Sequence, residues 1–366
     1  MKRNDQQAWE AYREEELSAL RPILGELHLS LEERQPHIKG ERFLMQAVTT
    51  ASGRKLILLG KNAQGERVVI KATRDKAGAR EITHERACRA LLADIGFAYE
   101  IFRSPEELLF VQKSGFTISV QRFIEQESAF IDRSLKEQFA LALSAFKAQE
   151  GAHAATYEHL RRIRSVFGSM DASAYLTSFR GFMEGILASE ADQGLSAVLQ
   201  KAHGELQAGQ ELIEQYTGFL THTDFVPHNI RIVGSDIYLL DHSSLRFGNK
   251  YEGWARFLNF MALYNPPLAE ALTEYVRLNR APEELAVLRL MRIYRLGEIV
   301  WYYVRARDRS DGDLKRLNEA RVGLWTKMLT ATLGSKRLSE AELASYRALR
   351  DSLRSDDERE RQVGLH

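Results

Sequence analysis

The sequence predicts an α+β fold in two lobes, a small β-rich N-lobe followed by a larger α-helical C-lobe. Three observations predict it. Residues 42–124 hold short runs of β-branched and apolar residues between turn residues, with one helical stretch among them. From about residue 130 the apolar spacing changes to the 3.6-residue period of helices. Inside the helical part lies a polar cluster, Leu220-Thr-His-Thr-Asp-Phe-Val-Pro-His-Asn-Ile230, flanked by short strands. Strands, then helices, around a loop-borne polar cluster point to two lobes with a cleft between them.

Residues from about 4 to 34 read as helical, with Trp9, Tyr12, Leu17, Leu20 and Leu24 as an apolar stripe and Pro22 as a kink or break. Such a helix is expected on the outside of a core. Phe43–Val48, Lys55–Leu59 and Arg67–Ala72 read as strands, joined by Thr49-Thr-Ala-Ser-Gly53 and Asn62-Ala-Gln-Gly65, which carry turn residues. A helix over Ala77–Ala93 interrupts this sheet, and the strands Glu107–Gln112 and Phe116–Ile124 enclose the turn Ser114-Gly115. Helices are expected over Phe130–Ala148, Ala172–Leu187 and Pro282–Arg307. The last has proline in its first turn, with Glu283 and Glu284 at its positive end. Residues 308–366 read as two more helices: Gly334 stops the first, and Ser339 with Glu342 makes a capping box for the second. The expected division is an N-terminal helical extension over 1–39, the N-lobe over 40–125, the C-lobe over 126–307, and C-terminal helices over 308–366 packed on the C-lobe.

Composition narrows the partners. The chain of 366 residues is comfortable for two lobes, and 44% hydrophobic content is ordinary for a globular protein. Its 51 basic and 50 acidic residues leave a net charge of +1, which predicts no polyanion partner and no nucleic acid. Arg161-Arg162-Ile-Arg164 reads as a solvated helix face. Cys88 is the only cysteine, so an internal disulfide and a cysteine-rich zinc site are excluded. Met1-Lys-Arg-Asn-Asp-Gln-Gln lacks the apolar core of a signal peptide, and no window has the apolar length of a membrane span. A cytoplasmic protein is expected; the oligomeric state is not readable.

The polar cluster carries the chemistry. Asp224, Asn229 five positions later, and Asp241 at the end of the apolar run Ile237-Tyr-Leu-Leu are the groups that phosphoryl transfer needs. One carboxylate orients and deprotonates a hydroxyl, while an amide and a second carboxylate hold Mg2+ on nucleotide phosphates. Ile230–Val233, the turn Gly234-Ser-Asp236 and Ile237–Leu240 form a hairpin that returns Asp241 beside Asn229. His222 joins Asp224 as a catalytic candidate, by bracing the loop through hydrogen bonds to backbone carbonyls. Two other readings stand open: a polar turn between strands, and a metal site of His222, His228 and His242, for which no recognised zinc spacing is present.

Upstream, Val68-Val-Ile-Lys71 ends an apolar strand on a lysine, which is costly to bury without a partner. Strands of this type present their lysine to nucleotide phosphates and to a helix glutamate. Glu81 and Glu85 lie four apart on one face of the next helix. Glu85 is preferred, because Ala87, Cys88, Leu91 and Leu92 make an apolar run just beyond it; an edge-strand lysine in solvent is the alternative for Lys71. Ser52 and Gly53, in the turn Thr49–Lys55, sit where a phosphate-covering loop would lie, or form an ordinary hairpin turn. Arg122 and Phe123, in Val120-Gln-Arg-Phe-Ile-Glu125, fall at the connector between lobes, where backbone groups could meet the nucleotide base.

Taken in order, residues 40–305 resemble the aminoglycoside phosphotransferase and choline kinase group within the protein-kinase-like fold. His222-Thr-Asp224-Phe-Val-Pro227-His-Asn229 is similar to that group's His-Gly-Asp-Leu-x-Pro-x-Asn. The resemblance implies Asp224 as catalytic base, Asn229 and Asp241 on magnesium, Lys71 on the α- and β-phosphates, and Glu85 positioning Lys71. Thr223 replaces the group's glycine, His242-Ser-Ser follows Asp241 in place of Phe-Gly, and the downstream Asp-Leu-Ala appears as Gly253-Trp254-Ala255, its aspartate missing unless Glu252 substitutes. No acidic cluster stands out for a polycationic antibiotic. The function expected is transfer of the γ-phosphate of ATP or GTP, with Mg2+, to a hydroxyl of a small molecule such as a sugar or amino alcohol. The alternatives are a catalytically silent nucleotide-binding scaffold, or a kinase whose acceptor is a protein or a glycolipid.

Overall fold

A computed structural model describes residues 3–33, 35, 54–95, 103–151, 157–189, 193–354 and 359. The expected strand Phe43–Val48 and the turn with Ser52 and Gly53 lie outside the described residues.

The first helix, α1 (Arg3–Glu26), continues through Pro22 and ends at a turn where His28 takes a left-handed backbone. The residues after it leave the helical pattern for a short strand, β1 (Ser30–Leu31), because they find an edge to pair with: β2 (Leu56–Lys61). Gly60 permits the approach, since a Cβ there would stand 2.4 Å from the Ser30 carbonyl oxygen. β3 (Arg67–Thr73), β4 (Glu107–Lys113) and β5 (Phe116–Arg122) complete an antiparallel sheet in the order β1-β2-β3-β5-β4. Ser114 and Gly115 both have positive φ, as a two-residue hairpin turn between twisted strands requires. Alternation puts Leu56, Leu58, Val68, Ile70, Ile118 and Val120 on one face, where Leu20, Ile23 and Leu24 of α1 cover them. The N-terminal helix therefore shares the sheet's own core.

Helix α2 (Lys76–Ile95) follows β3. Its Glu85 is buried with the sheet's lysine, while Cys88 and Leu91 join the apolar core of the helical part. One helix thus packs on both halves of the molecule. The expected helix over Phe130–Ala148 is in fact a 3-10 turn, Phe130–Asp132, and then α3 (Leu135–Gly151). The break has a local cause: Glu137 accepts from the Ser134 N–H at 3.0 Å and Ser134 Oγ from the Glu137 N–H at 3.3 Å, a capping box that restarts the helix.

Helices α4 (Tyr157–Phe167), α5 (Ala172–Ser189), α6 (Gln193–Ala208) and α7 (Gln210–Gln215) lead to the pairs β6 (Thr217–His222) with β9 (Leu245–Asn249) and β7 (Ile230–Val233) with β8 (Asp236–Leu239). In α4, Arg161 and Arg164 are exposed and Ile163 is buried. Next come α8 (Glu252–Tyr264), α9 (Pro266–Asn279), α10 (Pro282–Asp308), α11 (Gly312–Leu333) and α12 (Glu340–Ser352). Gly334 caps α11, and Ser339 with Glu342 forms the capping box of α12. The larger core is aromatic at its centre: Phe146 stacks on Trp254 at 3.9 Å and meets Phe225 and Phe257. That cluster seats the loop after β6 and the start of α8 on one support. No helix among the described residues is long and apolar enough to cross a membrane.

Candidate active site

Lys71 stands on β3, paired to β2 and β5, so it is not an edge-strand lysine. Its Nζ donates to Glu85 Oε2 at 2.5 Å and Oε1 at 2.7 Å, and the two side chains are only 11% and 4% exposed. Glu85 also accepts from Arg89 Nη1 at 3.0 Å. Burial pushes the Glu85 carboxyl up, but the charges of Lys71 and Arg89 outweigh it and hold it at about 2. Glu81, the other glutamate of that face, pairs with a different lysine, Lys55.

Between the end of β6 at His222 and Asp241, individual hydrogen bonds set the polar residues. His222 is fully buried, and its Nε2 lies 3.0 Å from the Leu240 carbonyl oxygen. It braces the loop and does not itself face the cleft. The Leu240 N–H donates to the Asn229 carbonyl at 2.8 Å, so the one residue before Asp241 ties both ends of the loop. Thr223, standing in the glycine position, adds a second tie: its N–H and its Oγ1 both donate to the Ser244 carbonyl, at 2.8 and 2.9 Å. Asn229 Nδ2 donates to the Asp224 carbonyl at 2.9 Å and to Asp224 Oδ2 at 3.0 Å, which leaves the amide oxygen on the other side.

Asp241 has φ +57°, a left-handed backbone uncommon outside glycine. Its oxygens accept from Ser243 Oγ at 2.5 Å and Ser244 Oγ at 2.8 Å. The two serines of His242-Ser-Ser therefore hold this carboxylate in place. Burial raises the Asp241 carboxyl, and the Ser243 hydroxyl and nearby positive charge bring it below its ordinary value. Asp224 is likewise raised by burial and lowered past it, chiefly by Arg256. Helix α2, which carries Glu85, packs against the turn His242–Ser244 that follows Asp241, and the Glu85 charge raises the Asp241 carboxyl while Lys55 lowers it, so this helix brings the Lys71–Glu85 pair beside Asp241.

The remaining expectations sort as follows. Arg122 is ion-paired with Glu66 and Glu106, and its N–H donates to the Glu106 carbonyl at 2.9 Å. The Phe123 N–H donates to the Arg67 carbonyl at 3.1 Å. Both backbone donors thus serve the sheet. Gln126, a little further on, accepts from the Ile232 N–H at 3.3 Å and ties the connector to β7. Glu252 does not brace the loop: fully buried, it accepts from Tyr175 at 2.7 Å and pairs with Arg246 and Arg295. Among the described residues no group of three or more His, Cys, Asp or Glu could hold a metal ion, which removes the three-histidine reading there. Asn229 with Asp241 instead fits Mg2+ that arrives on phosphate oxygens, because that ion is held by one or two carboxylates plus substrate. Arg256 was not foreseen; it lies 32 residues from Asp224 in the chain, a separation that carries no pattern.

No family model matches the chain, and no curated protein matches its sequence. Solved structures do match in fold. An amicoumacin kinase in complex with AMP-PNP and Ca2+ aligns at TM-score 0.57 with 13% identity, over 90% of this chain and 96% of that one. A thermostable aminoglycoside phosphotransferase APH(4)-Ia, in a ternary complex with ADP and hygromycin B, aligns at 0.53 with 16% identity, over 82% and 99%. The macrolide 2'-phosphotransferase MphH from Brachybacterium faecium aligns at 0.52 with 14% identity, over 84% and 98%. The chain has the two-lobed protein-kinase-like fold of the aminoglycoside phosphotransferases.

Proposed function

We propose that the chain is a phosphotransferase that moves the γ-phosphate of ATP or GTP, with Mg2+, to a hydroxyl of a small molecule. The observation that supports this is the buried Lys71–Glu85 ion pair on β3 and α2, with α2 packed against the turn after Asp241 and Asp224 hydrogen-bonded to Asn229. Further support comes from the fold neighbours, whose structures hold ADP with hygromycin B, or AMP-PNP with Ca2+. A cytoplasmic location belongs to the same proposal, because ATP and Mg2+ are supplied there.

Each residue has one task. Lys71, fixed by Glu85, holds the α- and β-phosphate oxygens. Asp224 keeps its side chain 39% exposed, accepts the acceptor hydroxyl's hydrogen bond and receives its proton as the acceptor oxygen bonds to the γ-phosphorus and the bond to the β–γ bridging oxygen breaks, releasing ADP or GDP. Asn229, through its amide oxygen, and Asp241 would hold the metal, which would supply positive charge to the transferring phosphate. The connector around Arg122 and Phe123 borders the base. Catalysis is then positioning plus electrostatics.

The test is a γ-phosphate transfer screen with ATP and GTP over sugars, amino alcohols and nucleosides, run beside Asp224→Ala and Asp241→Ala. We expect transfer to at least one acceptor by the wild type. Both variants should lose it while keeping the wild-type circular dichroism spectrum. Full transfer by either variant refutes the assignment, and absence of transfer to any acceptor by the wild type points to the silent scaffold.

A further inference from the structure

Asp224 carries more hydrogen bonds than a general base needs, and the additional ones come from a single side chain. Oδ1 accepts from Arg256 Nε at 3.0 Å and stands 2.9 Å from Arg256 Nη2, while Oδ2 accepts from Asn229 Nδ2 at 3.0 Å. Both carboxylate oxygens are thereby held by donors of the protein itself. Arg256 is 12% exposed and Asp224 39%, so the guanidinium grips the carboxylate from its buried side and leaves its outer edge to the cleft. Arg256 meets the single oxygen Oδ1 and Asn229 the other oxygen, so the two side chains together fix both ends of the carboxylate, and the planar guanidinium presents Nε and Nη2 side by side where an ammonium has no such fixed pair.

The start of α8 is brought close enough for this grip. The Gly253 N–H donates to Thr221 Oγ1 at 3.1 Å. A Cβ at 253 would stand 2.8 Å from Gln149 Oε1 and 3.2 Å from the His222 carbonyl oxygen. An aspartate in that place would therefore displace Gln149 or move the loop. Arg256, one helical turn later, reaches back over the same loop to the residue at its centre.

We propose that Arg256 is a positioning residue for the phosphoryl transfer, orienting the Asp224 carboxylate toward the acceptor hydroxyl, with Gly253 as the close contact that brings it within reach. This rests on the phosphotransferase assignment above. It makes α8 the brace of the catalytic loop in a chain whose Asp-Leu-Ala element has lost its aspartate.

The test uses the full chain and MgATP with water as the acceptor, so that no acceptor need be known. Arg256→Ala should lower kcat for hydrolysis about 10²-fold, the size of effect that about 1 Å of misplacement produces, with KM for ATP changed by less than about 2-fold. Methylguanidine added to Arg256→Ala should restore part of kcat and leave the wild type unaffected. If Arg256→Ala fails to fold, Arg256→Lys keeps the buried charge and carries the same comparison, with kcat lowered and KM held. An unchanged or raised kcat in the variant, or a loss that methylguanidine leaves untouched, overturns the proposal. If the wild type hydrolyses no MgATP, the phosphotransferase assignment is what fails. Crystal structures of wild type and Arg256→Ala then judge the positioning: one Asp224 rotamer in the first and several in the second supports it, and the same single rotamer in both overturns it.

Discussion

The two halves of the cleft hold their charges by opposite means. In the N-lobe, Lys71 and Glu85 stand on a strand and a helix, and each is sealed against the other at 11% and 4% exposure. In the C-lobe, Asp224 and Asp241 stand outside helices and strands and Asn229 ends a short 3-10 turn, Pro227–Asn229. Their places come from individual hydrogen bonds: His222 to Leu240, Thr223 to Ser244, and Ser243 and Ser244 to Asp241. A residue that must keep a fixed charge against phosphates can be buried with a counter-charge. A base that must meet a substrate has to stay open on one side, so its bracing comes from the other side. The first kind of site depends on one pair; the second spreads its dependence over many small contacts.

The largest effect expected from that contrast is on stability at Lys71. Lys71→Met leaves Glu85 buried with Arg89 as its remaining close cation, and should cost about 3 kcal/mol in urea unfolding. Lys71→Met combined with Glu85→Leu should recover most of that stability and no transfer activity. A single variant as stable as wild type would break the N-lobe half of the comparison.

Next in size is the pH dependence. A carboxyl whose folded value lies below its unfolded one stabilises the protein above the unfolded value, and that contribution disappears as pH falls to the folded one. For Glu85 the window runs from the ordinary 4.5 down to about 2. Acid unfolding of the wild type should steepen there, and Glu85→Gln should flatten that part of the stability–pH curve. Identical slopes in the two proteins would show that the pair is not held as described.

The smallest effect sharpens the C-lobe half. Thr223→Val removes one of two hydrogen bonds to the Ser244 carbonyl and should cost about 1 kcal/mol, read as a small drop in melting temperature. A loss of several kcal/mol would mean that this loop, too, hangs on a single contact.

Local signals were legible where neighbours in the chain decide the outcome. The β3 and β5 strands, the turn Ser114-Gly115, the 230–239 hairpin and the Ser339 capping box are all set within a few residues, and the chain shows them as its pattern suggests. The resemblance of His222–Asn229 to a known motif led to the fold. Strand β1 could not be read, because Ser30 and Leu31 become a strand only against β2. The split at Ser134 was readable in principle, since Ser134 and Glu137 have capping-box spacing, but the apolar period on both sides masked it.

By itself, the order of residues determined the class of fold, the strand that bears Lys71, and the loop that bears Asp224 and Asn229, because periodicity and short motifs act over short distances. Packing alone decided that Lys55 takes Glu81 and that Arg256 grips Asp224. Lys55 and Glu81 lie 26 residues apart and Arg256 and Asp224 lie 32 apart, separations at which charge, distance and burial select the partner and spacing carries no information.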